Sequence, residues 1–519
     1  MKRITIAFIL FFCFILKLTA QHHDHKRDYN WVFGYYYATN GVIFDFNTKP
    51  SYTQTPFKQK LNPDLSQDIS EICDTSGQFI AVSNGCQIYN KEFTVLKNSE
   101  KLNPGIVSEK LFCTDLGMQY FQASIMLPKP ENDSIVYLFH KVEDFRNKFW
   151  FADTIRLTVI NTRGDNGKGT VIQKNYPFYK DTILDSQMSA VRHANGIDWW
   201  LVNPAWKVGG DDNRLITHLI TKDGVKEPII QAIGKKVKQN VYATPQSCFS
   251  PDGSKYVRYD NSDGVHYYEF NRANGIFSNP KFFPTNDKEA HQCGATFAPN
   301  SRFLYISGYE KVYQIDTDAK DWSNAIDTVA IWDGYNNKGF SSRFSYMMLA
   351  PDCKIYIFPT GTIPYIATIN FPNRKGKQCK VGQHIKLISH TDNAPPNYPN
   401  FRLGKLGEPF SPCDSTINPT ISGITAEINI TDNPIVANLY PNPATTDINL
   451  DLFGYINQYK KGIFNLYDTQ GNLAASYPLL QNHDEYRFDI SNLANGMYFW
   501  HLVLDDKVRQ TGKVVVMKE

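Results

Sequence analysis

Neither charge prevails in this sequence. Its 519 residues carry 54 Lys and Arg against 51 Asp and Glu, a net +3. A dedicated nucleic-acid binder needs a basic face to meet phosphates, so no nucleic-acid partner is expected. Long apolar runs are missing beyond the first residues, so an integral membrane protein is not expected either. Cysteine is sparse, nine in all, and no two are spaced as CxxC, which disfavours a structural zinc site. Catalytic signatures are absent as well. The nearest approach to a Gly-x-Ser-x-Gly elbow is Gly339-Phe340-Ser341-Ser342-Arg343, which lacks the second glycine. No His-Glu-x-x-His, phosphate loop or Ser-x-Asp-x-Gly-x-Thr-Trp box occurs. No catalytic residue, cofactor or resident metal is therefore assigned.

What the chain does contain is aromatic and strand-forming. Hydrophobic residues make up 42% and aromatics 14%, with 30 Tyr and 34 Phe, a composition that buries a core and favours strands. At about 100–200 residues per domain, this length predicts two to four domains, or one repeat array with an added module.

Residues 1–20 read as a signal peptide. Lys2 and Arg3 precede the apolar stretch Ile4 to Leu16, and the small residue Ala20 places cleavage before Gln21. Cys13 follows Phe12, where a lipoprotein signal would carry a small residue, so no lipid anchor is expected. Subtracting Cys13 from nine leaves eight cysteines, an even number suited to disulfides in an oxidising compartment. Spacing pairs Cys73 with Cys86 across one hairpin, and Cys248 with Cys293 at matching points of successive repeats. Elimination then pairs Cys353 with Cys379 and Cys113 with Cys413.

Internal repetition dominates residues 29–405. Phe249-Ser250-Pro251-Asp252-Gly253 leads into a strand at Lys255-Tyr256-Val257. Phe297-Ala298-Pro299-Asn300-Ser301 and Leu349-Ala350-Pro351-Asp352-Cys353 repeat the pattern at steps of 48 and 52 residues. A third strand follows each, at His266–Phe270, Lys311–Ile315 and Tyr365–Ile369. Weaker copies precede them: Val191–Gly196 before Asp198–Val202, Cys73–Gly77 before Gln78–Val82, and Met126–Pro130 before Ile135–Phe139. Trp31–Gly34 and Val42–Phe46 open one more unit. Seven units of roughly 50 residues predict an all-β chain with a seven-bladed β-propeller, whose blades bury their faces against one another and leave short edges. The strand at Trp31–Phe46 is expected to complete the last blade near 342–405.

The Trp31–Gly34 opening, Phe44–Asn47, Gly77–Phe79, Gly85–Asn90, Ser124–Pro130 and Val191–Gly196 together resemble exported WD-repeat-like propellers of Bacteroidota-type bacteria. That resemblance covers about 370 residues and implies no established catalytic activity.

Residues 406–436 read as a linker, punctuated by Pro409, Pro412, Pro419 and Pro434 in a Ser/Thr/Asn-rich stretch. Residues 437–519 follow with short alternating strands, including Ile448, Leu450 and Leu452, then Tyr486, Phe488 and Ile490. They predict an immunoglobulin-like β-sandwich. Four motifs in order resemble the type A sorting domain of the type IX secretion system. They are Leu439-Tyr440-Pro441-Asn442-Pro443-Ala444, Tyr467-Asp468-Thr469-Gln470-Gly471, Ile490 to Tyr498 with Leu493 and Gly496, and Gly512-Lys513-Val514-Val515-Val516. The resemblance implies Sec export, then handling by the type IX translocon, and a secreted or surface-tethered product.

Other clusters read as structure. Asp316, Asp318 and Asp321 form a polar turn, as do Asp211, Asp212 and Asn213; His193 beside Asp198 is a structural histidine; Arg163-Gly164-Asp165 is a chance tripeptide. A mature Gln21-His22-His23 terminus has the donor pattern of a square-planar copper or nickel site, without a function assigned to it. The expected role is binding or adhesion towards an extracellular glycan or protein. The rival is a polysaccharide-acting lyase or glycosidase with a carboxylate pair in the channel.

Overall fold

The computed structural model describes residues 22–34, 41–48, 52–146, 149–207, 210–238, 245–285, 292–322, 325–360, 362–390, 394–408, 410–414, 436–453, 461–480, 485–505 and 507–518. The signal peptide, its cleavage point at Ala20 and Gln21, and residues 415–435 of the expected linker lie outside them. The chain divides into two units, Met1–Pro419 and Thr420–Glu519.

In the first unit, strands consecutive in sequence pair antiparallel into seven main sheets. Blade 1 is Asn30–Phe33, Gly41–Asp45 and Thr53–Phe57; blade 2 is Ser70–Cys73, Phe79–Ser83 and Ile88–Asn90. Blade 3 is Ser124–Lys129, Asn132–Arg146, Phe149–Asn161 and Thr170–Ile183. Blade 4 is Ser189–Arg192, Trp199–Pro204, Asp211–Thr221 and Ile229–Lys238, with Gly224–Val225 folded back on its third strand. Blade 5 is Gln246–Phe249, Lys255–Asp260, Gly264–Asn271 and Ile276–Phe283; blade 6 is Gly294–Phe297, Phe303–Ser307, Lys311–Asp316 and Ile326–Ile331. Blade 7 is Phe344–Leu349, Ile355–Pro359, Tyr365–Ile369 and Val381–Lys386.

Burial orders the strands within a blade. The first strands of blades 2 and 6 are buried at every residue, whereas the last strand of blade 5 is mostly exposed. The first strands therefore line the axis. Apolar side chains join each blade to the next all the way round. Val32 and Phe57 meet Val82 and Tyr89 between blades 1 and 2. One cluster runs through blades 2, 3 and 4 from Ile72 to Ile125 to Trp199. Trp200 meets Tyr256 between blades 4 and 5, Tyr259 meets Leu304 between 5 and 6, and Tyr305 meets Ile357 between 6 and 7. Trp31, Phe33 and Phe44 then meet Tyr356, Phe358 and Ile366, and the ring is closed. Each interface removes from water a face that one blade could not cover alone.

Closure differs from the expectation in one respect. Trp31–Phe33 and Gly41–Phe46 pack on blade 7 but their strands pair only within blade 1, because all four strands of blade 7 come from residues 344–386. The blade 1–7 seam is joined instead by a side chain. The Gln54 amide donates to Lys386 O at 3.2 Å and accepts from Ile388 N at 2.9 Å.

The repeated turn has a backbone cause. Between the first two strands of blades 2 to 7, one residue takes left-handed backbone: Gly77, Glu131, Gly196, Gly253, Ser301 and Cys353 at φ +88°, +59°, +76°, +72°, +58° and +65°. Glycine enters that region without strain. At Gly253 it is also required by space, since a Cβ would stand 2.7 Å from Arg272 and 2.9 Å from Leu403.

The chain does not leave the ring at residue 405. Residues 394–408 and 410–414 form a strap across one mouth. Asn397 N donates to Ile69 O at 2.8 Å, Asn400 Nδ2 to Pro251 O at 2.8 Å, Leu406 N to Ala194 O at 2.8 Å, and Asp414 N to Pro351 O at 2.9 Å. The strap thus reaches blades 2, 4, 5 and 7, and the stretch expected as linker from 406 is anchored as far as Asp414. The N-terminal segment 22–29 lies at the same mouth. Buried Asp28 takes two hydrogen bonds from Arg402, at 2.7 and 2.9 Å, and Tyr29 donates to Asp414.

The disulfides correct the sequence pairing. Cys86 joins Cys113 across a Cα separation of 5.5 Å, and Cys353 joins Cys413 across 5.2 Å. Cys73 is therefore not the partner of Cys86, nor Cys379 of Cys353, and no bridge joins Cys248 to Cys293. Spacing along the chain misled here because the partners come together through a long loop and through the strap.

The second unit is a two-sheet sandwich. One sheet is Val436–Tyr440, Asp447–Phe453 and Glu485–Asp489; the other places Leu473–Leu479, Gly462–Tyr467, Gly496–Leu504 and Lys507–Val516 in that order. Ile448, Leu450 and Phe488 of the first face Phe464, Trp500 and Val514 of the second. Gly512 lets its strand lie against Trp500, whose ring would stand 2.6 Å from a Cβ.

Candidate functional site

In the sandwich, three of the four motifs converge. Tyr440 closes the first strand opposite Asn449, and the chain then turns through Pro441, Asn442 and Pro443. The Asn442 side chain accepts from Val515 N at 2.9 Å and donates to Lys513 O at 3.2 Å. Ala444 and Val516 form a parallel bridge, Ala444 N donating to Val515 O and Met517 N to Ala444 O, both at 2.8 Å. The opening motif is thereby an extra edge on the closing strand. The third motif meets the same strand, where Val514 pairs with Tyr498 and Val516 with Gly496. Lys518 finishes the junction: its N donates to Asn495 Oδ1 at 2.8 Å, and its ammonium to Ser491 O at 2.5 Å and to Leu493 O. Gly471 belongs to a separate turn at φ +83°, where Asp468 Oδ1 accepts from Gln470 N and Asn472 N, both at 2.9 Å.

At the propeller axis the strap occupies the place where ligand contact was expected. Asn397 donates to Ser124 O at 2.8 Å and Met188 O at 3.0 Å, and accepts from Gln122 at 3.2 Å. Gln122 and Ser247 exchange two hydrogen bonds of 2.9 Å. Beside this lattice a cavity of about 90 Å³ remains, bordered by Ser189, Ser247, Met347 and Tyr398. Near the axis, the carboxyl groups are held by neighbours. Tyr398 Oη lies 2.8 Å from both Asn30 O and Glu71 Oε1, and Val32 N donates to Glu71. One hydroxyl proton cannot serve both acceptors, so a protonated Glu71 donating to Tyr398 satisfies the set. Burial raises the Glu71 pKa well above its ordinary value, in keeping with that proton. Burial likewise pushes Asp68 up to about 7 against hydrogen bonds from Ser124.

The strap was not foreseen. Its Pro- and Asn-rich sequence has no strand period, and only the isolated Phe401 and Leu403 hinted at burial.

The clusters set aside from sequence prove to be occupied. Asp316 is paired with Arg302 and Asp318 with Lys255; Asp212 is paired with Arg214. His193 Nε2 lies 3.2 Å from Ala273 O in an exposed turn. Gln21 lies outside the described residues. His23, Asp24 and Asp133 bring one ligand atom each within 4.8 Å, but both carboxylates already bind Arg27, and Asp24 also binds Arg192. Burial opposes the Asp24 charge, yet Arg192 and Arg27 outweigh it and hold the carboxyl at about 2. A cation there would meet two guanidinium groups.

No curated protein matches the chain. Among solved structures, a protein provisionally assigned as a 6-phosphogluconolactonase from Bacteroides uniformis is 12% identical, covering 70% of this chain and 98% of its own at a TM-score of 0.41. The β-propeller domain of Cps50 (Swd1) from Myceliophteria thermophila is 8% identical, covering 66% and 94% at a TM-score of 0.35. Residues 438–517 match the family model of the secretion system C-terminal sorting domain. No helix among the described residues is long and apolar enough to cross a membrane. The chain is thus a β-propeller carrying a type IX sorting domain, a cargo exported to the cell surface or beyond it.

Proposed function

We infer that the propeller is a binding unit, delivered by its sorting domain to act on an extracellular glycan or protein without chemical conversion. The observation that carries this reading is the filled axis. The strap and its lattice of amides hold the position where a channel carboxylate pair would work, and the Glu71 carboxyl faces Tyr398 of the strap itself. A glycosidase needs two carboxyl groups flanking a sugar about 5–10 Å apart. Binding instead uses loops and grooves around the ring. The test is a glycan and protein array run beside a polysaccharide-degradation screen on the purified full chain. Saturable capture without released product supports binding; product release without saturable capture overturns it.

A further inference from the structure

A cleft of about 530 Å³ lies away from the axis, between blades 3 and 4, a volume within the range of small-molecule sites. Its origin is local. The second, third and fourth strands of blade 3 run for 15, 13 and 14 residues, longer than the other blades require. Opposite them, blade 4 folds Gly224–Val225 back on its third strand before Ile229 resumes the sheet. The arch between, Lys226-Glu227-Pro228, stands off the face of blade 3 and leaves a cleft beneath it.

One wall is apolar and aromatic. Tyr137, Leu157, Val159, Tyr176 and Phe178 of blade 3 present alternate positions of three neighbouring strands to the same side. Tyr176 remains 51% exposed, a large ring left at the cleft. Across from it stand Val225 and, on the floor, His218. That imidazole is only 1% exposed, and neither ring nitrogen has a hydrogen-bond partner. It rests edge-on between Phe178 and Tyr179, with centroids 5.2 and 4.9 Å away. Burial lowers its pKa to about 4, so at neutral pH it is an uncharged donor and acceptor. An unmatched buried polar group costs stability and awaits a partner. Lys129 and Lys226 border the same cleft with no ion-pair partner among the described residues, beside Glu227.

We propose that this cleft is a binding site for a small aromatic hydroxy-acid. Its ring lies against Tyr137, Val159 and Phe178, its carboxylate meets Lys129 and Lys226, and its far hydroxyl supplies the partner that His218 lacks. The proposal rests on the propeller being a binding unit, and it gives that unit a location and a ligand chemistry.

The probes are 6-hydroxy-2-naphthoate, 2-naphthoate and the neutral 6-hydroxy-2-naphthalenemethanol. Each is titrated calorimetrically into the full chain. The hydroxy-acid should bind at one site, and loss of either polar group should weaken it on the order of tenfold. His218→Phe should abolish the preference for the hydroxyl and spare that for the carboxylate; Lys129→Gln with Lys226→Gln should do the reverse. Val225→Trp, on the folded-back hairpin, should fill the cleft and remove binding of all three, with thermal unfolding reporting that the fold persists. No saturable binding by the hydroxy-acid, or affinities that the three variants leave unchanged, would overturn the proposal. Surface display is read separately by protease accessibility, so export can hold while this site fails.

Discussion

Asn442 and Val515 lie 73 residues apart and share a hydrogen bond of 2.9 Å from the Val515 amide to the Asn442 side chain. The first and last sorting motifs are therefore one structural object. Asn442→Ala should remove two hydrogen bonds and destabilise the sandwich by about 1–2 kcal/mol. Deleting 513–519 should remove the strand to which the opening and third motifs are both bound. Cargo should then stay in the periplasm, protected from protease on whole cells. Surface exposure equal to that of the parent would show that the motif junction is dispensable for export.

The Cys353–Cys413 bridge closes a loop of sequence separation 60 and fastens the strap to blade 7. Its removal by Cys413→Ser should lower stability by about 2–4 kcal/mol. Non-reducing peptide mapping should recover Cys353 with Cys413 and Cys86 with Cys113. Recovery of Cys248 linked to Cys293 would refute this connectivity.

Asp28 and Arg402 form a buried ion pair between the N-terminal segment and the strap. Arg402→Met leaves a buried carboxylate without its partner and should cost about 3–5 kcal/mol. Adding Asp28→Asn should recover part of that loss. If the double variant melts no higher than the single one, the pair is not what holds these segments.

Asp68 gives a pH signature. Its carboxyl titrates at about 7 in the folded protein against 3.8 ordinarily, so between these values the folded state holds a proton that the unfolded chain has released. Its contribution is fully present below the lower value and is lost as pH rises towards 7. Asp68→Asn keeps an oxygen for the two hydrogen bonds from Ser124, of 2.9 and 2.8 Å. The variant should match the parent near pH 4 and exceed it at pH 8, by on the order of 2–4 kcal/mol. Melting curves that run parallel over this range would exclude Asp68 as the titrating group.

Much of this architecture is legible in the residues themselves, for identifiable reasons. The Pro-Asp or Pro-Asn turns at 251, 299 and 351 mark blades 5 to 7 because each needs a left-handed residue at a fixed offset. The sandwich announces itself because alternating Ile448, Leu450 and Leu452 can be read locally. The pairing of Cys86 with Cys113 cannot, since it depends on where a loop returns. Nor can His218 be distinguished from any strand histidine until Phe178 and Tyr179 of the neighbouring blade are beside it. Contacts between elements distant in sequence leave no period to detect.

The strap also imposes an order of events. Translation delivers blade 1 first and the strap only after blade 7, so until then the ring lacks the segment that ties blades 1, 2, 3, 4, 5 and 7. The sorting strand at 507–516 emerges later still. The last part of the export address thus becomes available only after every residue needed to lock the ring has arrived. Chain order by itself gives the cargo its chance to fold before it can be shipped.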